Sequence, residues 1–331
     1  MHERDSSAPR LSRRTFVAAA AGAVALPQAA MAQQNVSRIL VPFPPGGPAD
    51  YMGRLLAEKM KDAMGGRTLL VDNRPGAGTR LATEVLKNSP ADGTVALLTP
   101  VDPMFIAPLI YSNLRYDPQA DFKALTDVAG VQFGLVVNAS SPIRNVADLV
   151  KAAKASAKDY PIAISSLGTL LHFLAAEFVA QARIDSTIAP YRGGAAIVTE
   201  LLGNQIAAGM DATTSFVEHH RAGKLRVIAV AGEKRADALP DVPTFAEQGF
   251  PSLVASSRYL LYVRANTSAE SQAQWAQATR QALAMPDVRE KLARAGYDLV
   301  AGASAQEVAK YASDLAARWT PVIKASGFKG E

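Results

Sequence analysis

Two glycine pairs in this chain could bind an anion through backbone N–H groups. Gly46-Gly47 follows the apolar run at residues 39–43, and Gly193-Gly194 follows the run at residues 188–191. Each pair precedes a helical pattern, so each segment is predicted to be a strand, a glycine turn and a helix N-terminus. Glycine lets a ligand approach the backbone, and a helix start adds unpaired donors and the positive end of its dipole. The two segments predict two lobes that donate to one acidic ligand, whereas the structural alternative is a plain tight turn.

Five further residues are candidates for the same site, and each has a structural alternative. Gly168 and Thr169 could present N–H groups and a hydroxyl to a cleft, or simply start a helix. His172, on the first turn of that helix, is either a cleft residue or a structural hydrogen-bonding group. Asp50 more readily caps a helix than contacts an anion, because a bare carboxylate repels one. Arg258 lies in a predicted strand and either binds a ligand carboxylate or pairs with an internal acid.

The sequence lacks the motifs of common enzyme classes. It contains no Gly-x-Ser-x-Gly, no His-Glu-x-x-His and no P-loop. The segment Gly76-Ala77-Gly78 is not a dinucleotide fingerprint, because Leu81 occupies the place of the third glycine. The absence of cysteine excludes disulfides and thiolate metal sites, and the adjacent His219 and His220 point in different directions on a helix. We therefore predict no catalytic residue, no metal site and no cofactor.

The N-terminus has the pattern of a twin-arginine export signal. Arg13-Arg14 precedes a weakly apolar stretch at residues 17–26, and Ala30-Met31-Ala32 supplies the small residues that signal peptidase needs. We expect cleavage after Ala32, removal of residues 1–32 and a periplasmic mature chain; an ordinary Sec signal is the alternative. Cleavage removes four arginines and two acidic residues, so the net charge falls from +5 to +3. A net charge of only +3 argues against nucleic acid or a membrane surface as the partner.

Strand and helix patterns alternate along the rest of the chain with short connections. This order predicts an α/β fold with mostly parallel sheets, and the length fits two lobes better than one. We expect the chain to cross between the lobes near residues 133–137 and 256–263. Lobe 1 would then comprise residues 33–135 and 256–331, and lobe 2 residues 136–255, with the ligand cleft between them.

Six segments, in order along the chain, carry a family resemblance. They are Val41-Pro42-Phe43-Pro44-Pro45-Gly46-Gly47 with Asp50 and Arg54; Asp72-Asn73-Arg74-Pro75-Gly76-Ala77-Gly78; Tyr116-Asp117-Pro118 with Asp121-Phe122; Ser165-Ser166-Leu167-Gly168-Thr169 with His172; Tyr191-Arg192-Gly193-Gly194; and Leu201-Leu202-Gly203-Asn204-Gln205 with Asp211. With these segments the mature chain resembles, over essentially its whole length, the Bug family of periplasmic solute receptors of tripartite tricarboxylate transporters.

The resemblance implies a two-lobed periplasmic-binding-protein fold, similar to type II, that closes over a small carboxylated solute. It implies a monomeric receptor that delivers this solute to the membrane subunits of a tripartite tricarboxylate-type transporter; a sensor for a signalling partner and a periplasmic enzyme are the alternatives. Such receptors hold the ligand carboxylate mostly by backbone groups and waters from two loops, which are residues 43–50 and 191–194 here. The residues and the resemblance together give as ligand-binding candidates Phe43, Pro45, Gly46, Gly47, Asp50, Ser166, Gly168, Thr169, His172, Tyr191, Arg192, Gly193, Gly194, Asp211 and Arg258.

The chain also departs from the family pattern at three places. Ala49 stands where a small hydroxylated residue is usual before the aspartate, and Thr79-Arg80-Leu81 replaces the usual continuation after Gly78. The third departure, at residues 257–268, contains Arg258. We therefore expect Arg258 to tune the choice of ligand.

We predict export through the twin-arginine route, because the arginine pair precedes a weak, alanine-rich apolar stretch. Replacing Arg13 and Arg14 by lysine should retain the precursor in the cytoplasm, as measured by cell fractionation and immunoblotting. Undiminished export of the double variant would show that the segment is an ordinary Sec signal.

Overall fold

The computed structural model describes residues 36–300 and 302–330 of the chain. The predicted export signal and its cleavage site lie outside the described residues. Within the described part, none of the helices combines the length and hydropathy that crossing a bilayer requires.

Nine strands form one continuous sheet in the described part of the chain. The strands are β1 (Val36–Val41), β2 (Thr68–Asn73), β3 (Val95–Thr99), β4 (Phe122–Asn138), β5 (Ile162–Ile164), β6 (Ile188–Pro190), β7 (Ala208–Ala212), β8 (Leu225–Val230) and β9 (Ser256–Arg264). Their order is β2-β1-β3-β9-β4-β7-β5-β6, and β8 also pairs with β4. β1 pairs in parallel with β2 and β3, and β5 with β6 and β7. Antiparallel pairs of β4 and β9 join these parallel groups.

Strand β4 belongs to both halves of the sheet. It pairs with β9 up to Gln132 and with β7 and β8 from Phe133 onward. We call the half with β1–β3, β9 and the first part of β4 lobe 1, and the half with β5–β8 and the rest of β4 lobe 2. The chain returns to lobe 1 at Ser256, which lies opposite Gln132. The boundaries proposed at residues 135 and 255 stay predictions, and this switch of strand pairing lies beside them.

Eleven α-helices of the described chain cover the sheet. They are α1 (Pro48–Met60), α2 (Arg80–Lys87), α3 (Asp102–Phe105), α4 (Ala107–Ile110), α5 (Val146–Ala155), α6 (Leu170–Ala182), α7 (Gly194–Leu202), α8 (Val217–Arg221), α9 (Ala269–Ala284), α10 (Pro286–Arg294) and α11 (Ala305–Ala325). α11 packs against α4 of lobe 1 and against α6 of lobe 2. The C-terminal helix therefore bridges the two lobes on one side of the crossing strands.

Buried helix faces hold the loops at the ends of the parallel strands. In α1, Met52, Leu56 and Met60 are fully buried against the lobe 1 sheet, as is Trp275 of α9. The indole Nε1–H of Trp275 donates to the Gly93 carbonyl at 2.8 Å, so its polar group is satisfied inside the core. In open α/β sheets, ligands bind beyond the carboxyl ends of the strands. The chain leaves β1, β3, β5 and β6 at such ends, and each of these exits leads into a helix.

An internal ion pair ties β9 to β4. Asp127 is 1 % exposed, its Oδ2 lies 2.9 Å from Arg258 Nη1, and its Oδ1 accepts a 2.6 Å hydrogen bond from Ala303 N–H. The Arg258 guanidinium also lies over the Tyr311 ring of α11, 4.6 Å from its centroid. This geometry corrects the expectation that Arg258 contacts and selects the ligand. Its side chain joins two strands and the segment around α11.

The ion pair predicts a stability effect without a ligand effect. Asp127→Ala should lower the free energy of unfolding by about 2–4 kcal/mol, because it leaves a guanidinium and a backbone N–H without their acceptor. Arg258→Gln should cost less, about 1 kcal/mol, because 38 % of its side chain is exposed. Urea unfolding measures both, and calorimetry should show unchanged ligand affinity for Arg258→Gln. If Arg258→Gln instead changes the ligand preference without lowering stability, Arg258 belongs to the binding site.

Candidate functional site

A cavity of about 130 Å³ lies between the two lobes at the carboxyl ends of the parallel strands. Loops from opposite lobes nearly touch at its edge. A Cβ built on Gly193 would lie 3.9 Å from Pro44 Cδ, and one on Gly78 would lie 3.3 Å from the Leu167 carbonyl oxygen. The cleft is therefore closed in this structure.

Nine of the fifteen candidates line this cavity: Phe43, Pro45, Gly47, Ser166, Thr169, Arg192, Gly193, Gly194 and Asp211. The other six, which do not line it, are Gly46, Asp50, Gly168, His172, Tyr191 and Arg258. The lining polar and aromatic residues outside this candidate set are Thr79, Asp102, Phe133, Ser165, Thr214, Ser215, Ser257 and Tyr259.

Asp50 shapes the first glycine loop from inside the protein. Its Oδ2 accepts hydrogen bonds from Gly46 N–H and from Arg54 Nε–H, both at 2.9 Å. Burial by itself would raise the pKa of Asp50, but the hydrogen bonds from Arg54 and Gly46 hold that pKa below its ordinary value. Gly46 has φ +80°, which favours glycine. Gly46 and Asp50 therefore hold the loop in shape, and the cavity is lined by their neighbours.

The second glycine loop rests on a buried carboxyl group. Asp211 Oδ1 accepts from Ser165 Oγ at 2.7 Å, and its Oδ2 accepts from Ser215 Oγ at 2.9 Å. A Cβ on Gly194 would overlap Asp211 Oδ2 and the Ser215 side chain, so only glycine fits there without movement. Burial raises the pKa of Asp211. Asp211 thus connects the loop after β5 to the start of α7.

A third helix start, that of α6, is already supplied with acceptors. Thr169 is its N-cap, and its hydroxyl accepts from His172 N–H at 3.4 Å. Leu170 N–H donates across the lobes to Asp102 Oδ1 at 2.7 Å. Asp102 begins α3 of lobe 1, and burial raises its pKa to about 6. A carboxyl group of lobe 1 therefore accepts a hydrogen bond from a first-turn N–H group of a lobe 2 helix.

The starts of α1 and α7 have no such side-chain caps. First-turn N–H groups have no intrahelical partner, and Ala49 of α1 and Gly194 and Ala195 of α7 line the cavity. Arg192, an exposed residue, is the one lysine or arginine among the described lining residues. Backbone donors of both lobes and one guanidinium therefore meet at the mouth of the cavity. This arrangement suits an anionic group.

His172 and Gly168 are structural, which corrects their assignment to the ligand site. The His172 ring packs against Phe328 and Phe173, with centroid distances of 4.7 and 5.0 Å, and its Nδ1 accepts from Gly168 N–H at 3.4 Å. Burial lowers the pKa of His172, so the ring is neutral near pH 7. A Cβ on Gly168 would lie 2.9 Å from Ile110 Cδ1. Both residues belong to the packed side of the lobe junction.

Tyr191 lies beside the cavity and not in it. It lines a groove of about 580 Å³ that also contains Tyr111 and Leu167. The groove shares Phe43 and Arg192 with the cavity, so the two are neighbours along the cleft. The candidate Tyr191 therefore lies in this neighbouring groove and does not line the cavity.

A simple rule could have found two of the missed residues. Ser257 and Tyr259 line the cavity, and side chains of a strand alternate between its two faces. Arg258 between them must then point to the opposite face. Asp102 follows closely on the carboxyl end of β3, a position where parallel strands present ligand-binding groups. The prediction that Arg258 binds the ligand rested on its residue type and did not use this alternation.

Comparison with known proteins identifies the family and agrees with the fold. Residues 52–328 match the tripartite tricarboxylate transporter family receptor. The chain belongs to this family. It is 30 % identical over 293 residues to protein BugT of Bordetella pertussis, covering 88 % of this chain and 89 % of that protein. The fold matches the periplasmic binding protein BugD with a TM-score of 0.83 at 26 % identity, covering 89 % of this chain and 98 % of BugD. An R. palustris protein with adipate gives the same TM-score and coverages at 27 % identity.

The contact between Gly194 and Asp211 predicts intolerance of any side chain at position 194. Gly194→Ala should lower the free energy of unfolding by about 1–3 kcal/mol, because the new methyl group overlaps a buried carboxyl. Gly47→Ala is the matched control, since a Cβ there meets only the Pro44 carbonyl oxygen at 3.6 Å. Chemical unfolding compares the two variants. Equal stabilities would show that Asp211 does not need this close approach.

Proposed function

We propose that the protein is a periplasmic solute receptor that binds a small organic acid between its lobes. The observation that carries this proposal is the meeting of two uncapped helix starts, one from each lobe, with Arg192 at one closed cavity. A carboxylate placed there would accept from the backbone N–H groups of α1 and α7. Since both lobes contribute donors, the bound anion would hold them together.

The relatives support a carboxylate as the ligand. The family consists of receptors of tripartite tricarboxylate transporters, and the R. palustris relative holds adipate, a dicarboxylate. We infer that this chain delivers its solute, as a monomer, to the membrane subunits of such a transporter. The twin-arginine pattern at Arg13-Arg14 supports the periplasm as the place of binding.

The mechanism is closure of the two lobes around the solute. An open cleft admits the acid, and donors from both lobes complete the site only when the cleft closes. A ligand shifts such an equilibrium only through its different affinities for the open and closed states. The donors of α1 and α7 supply this difference because they approach each other on closure. The membrane partner would then recognise the closed form.

A binding screen tests the proposal directly. Acetate, succinate, adipate and benzoate are compared with the corresponding amides by thermal shift and by calorimetry. We expect one or more carboxylates to bind and raise the melting temperature, and their uncharged amides to have no effect. A turnover assay on each bound acid should show no chemical change. Binding of none of these carboxylates nor of their hydroxy and amino analogues, or turnover of a bound acid, would overturn the proposal.

The first glycine loop should contribute to binding without being needed for folding. Gly47 has φ −81° and ψ 172°, an extended conformation that valine also adopts. Gly47→Val should weaken carboxylate binding at least about tenfold, or roughly 1.4 kcal/mol, because its branched side chain enters the cavity. Gly203→Val is the matched control, with φ −79° at a site outside the cavity. Wild-type affinity in a folded Gly47→Val variant would show that the loop is only a turn and does not contribute to binding.

A further inference from the structure

The charges around the cavity do not match a simple dianion. Asp102 and Asp211 are both buried and both line the cavity, whereas Arg192 is the one cation among its described lining residues. Arg192 is also exposed, so it lies at the mouth, while the two carboxyl groups lie deep. A second carboxylate placed deep in the cavity would meet like charges in a medium that screens them weakly.

The two carboxyl groups differ in how well they are satisfied. Asp211 receives hydroxyl hydrogen bonds on both oxygens, from Ser165 and Ser215. Asp102 receives the bond from Leu170 N–H on Oδ1 only. Apart from its own backbone N–H, no further donor within the described residues reaches its carboxylate. Asp102 therefore keeps acceptor capacity that the protein leaves unused.

Ser257 provides a second polar group without a partner at the same cavity. Its side chain is 1 % exposed, and within the described chain its hydroxyl has no hydrogen-bond partner. The antiparallel pairing of β3 with β9 ends where Thr99 lies opposite Leu260. Asp102 comes after Thr99 and Ser257 comes before Leu260, so both residues lie beyond the same end of this pairing. An unpaired buried hydroxyl costs stability unless a ligand or water completes it.

Within the described residues, burial and backbone hydrogen bonds set the pKa of Asp102, with no basic side chain among the causes. Arg258, which lies over Tyr311, is already paired with Asp127. The helix that Asp102 caps carries neutral His172, and β7 carries the acidic Asp211. Tyr259 of β9 and Tyr311 of α11 stay protonated, because burial raises the pKa of both phenols and Asp102 raises them further. The nearest complement for Asp102 is therefore a hydrogen-bond donor that arrives with the ligand.

We propose that Asp102 is a specificity-determining residue that accepts a hydrogen bond from an O–H or N–H group of the ligand. This inference rests on the proposed function and narrows its ligand class to small acids that also carry a hydroxyl or an ammonium group. The ligand carboxylate lies at the starts of α1 and α7 near Arg192, and its donor group lies deep, between Asp102 and Ser257. An acid without a donor leaves the second carboxylate oxygen of Asp102 without a hydrogen-bond donor and is disfavoured.

The test compares acids that differ only in the donor. Succinate, malate and aspartate form one set, and glutarate, 2-hydroxyglutarate and glutamate form a second set that is one methylene longer. At pH 8, calorimetry on the wild-type protein should show a preference of about tenfold or more for a donor-bearing acid over the plain diacid. A higher affinity for the amino acids identifies ammonium as the donor, and a higher affinity for the hydroxy acids identifies hydroxyl.

The decisive variant is Asp102→Asn. Asparagine keeps an oxygen for Leu170 N–H and removes the negative charge, so the protein should fold and the preference should fall at least about tenfold, chiefly through tighter binding of the plain diacid. Asp237→Asn is the matched control, because it removes the same charge from a side chain that is 80 % exposed and outside the cavity. The control should keep the wild-type preference.

Measurements at lower pH give an independent readout. Because Asp102 becomes protonated as the pH falls through its raised pKa, wild-type affinity for succinate should rise between pH 8 and pH 5. In Asp102→Asn this rise should be smaller, because only Asp211, whose pKa burial also raises, and succinate itself still take up protons in this range. Acids that bind without preference, or a preference unchanged in Asp102→Asn, would overturn the inference and leave the proposed function standing. A wild-type protein that binds no acid in either set or in the wider screen would overturn the proposed function itself.

Discussion

A helix that begins beside a cavity leaves first-turn N–H groups that need acceptors, and α1, α6 and α7 begin beside this one. The protein meets this need for α6, through Thr169 and through Asp102 of the opposite lobe. It does not meet it for α1 and α7, whose starts carry no side-chain cap. The difference sets the polarity of the cleft. Anions are disfavoured at the start of α6, where Asp102 already accepts from Leu170 N–H. They are favoured at the uncapped starts of α1 and α7, because Asp211, which lies against Gly194, directs its oxygens to the Ser165 and Ser215 hydroxyls.

The crossing strands allow one cavity to be built from two lobes. β4 runs through both halves of the sheet, so the loops after β1 and β6 are fixed to opposite ends of a common support. Arg258 and Asp127 join β9 to β4 at this crossing, and Asp127 also holds the backbone at Ala303 just before α11. A small rotation about these strands would separate the glycine loops, whereas the packed side with His172 and Phe328 would move least.

Sequence patterns predicted the parts of the site that depend on local geometry. The glycine pairs and the helix starts that follow them come from residues near one another in the chain, and the family assignment comes from short motifs of this kind in order along it. The same patterns could not assign Asp102, because its partner Leu170 is 68 residues away and becomes its neighbour only through the fold. His172 was ambiguous for a similar reason, since Phe328, which covers its ring, comes from the far end of the chain. Arg258 shows that residue type alone misleads when strand alternation is left out.

The contact between Asp102 and α6 also bears on how binding and closure are coupled. Its hydrogen bond to Leu170 joins the lobes directly, so part of the closed form is stabilised by the protein itself. A solute adds free energy of closure only where the protein leaves donors or acceptors unused, at α1, α7 and Ser257. Stronger pairing between Asp102 and α6 would favour closure without a ligand. Weaker pairing would leave the first-turn N–H groups of α6 and the donor groups of the solute competing for the same acceptors. A half-satisfied Asp102 lies between these limits, because it holds the lobes through one oxygen and can select the ligand through the other.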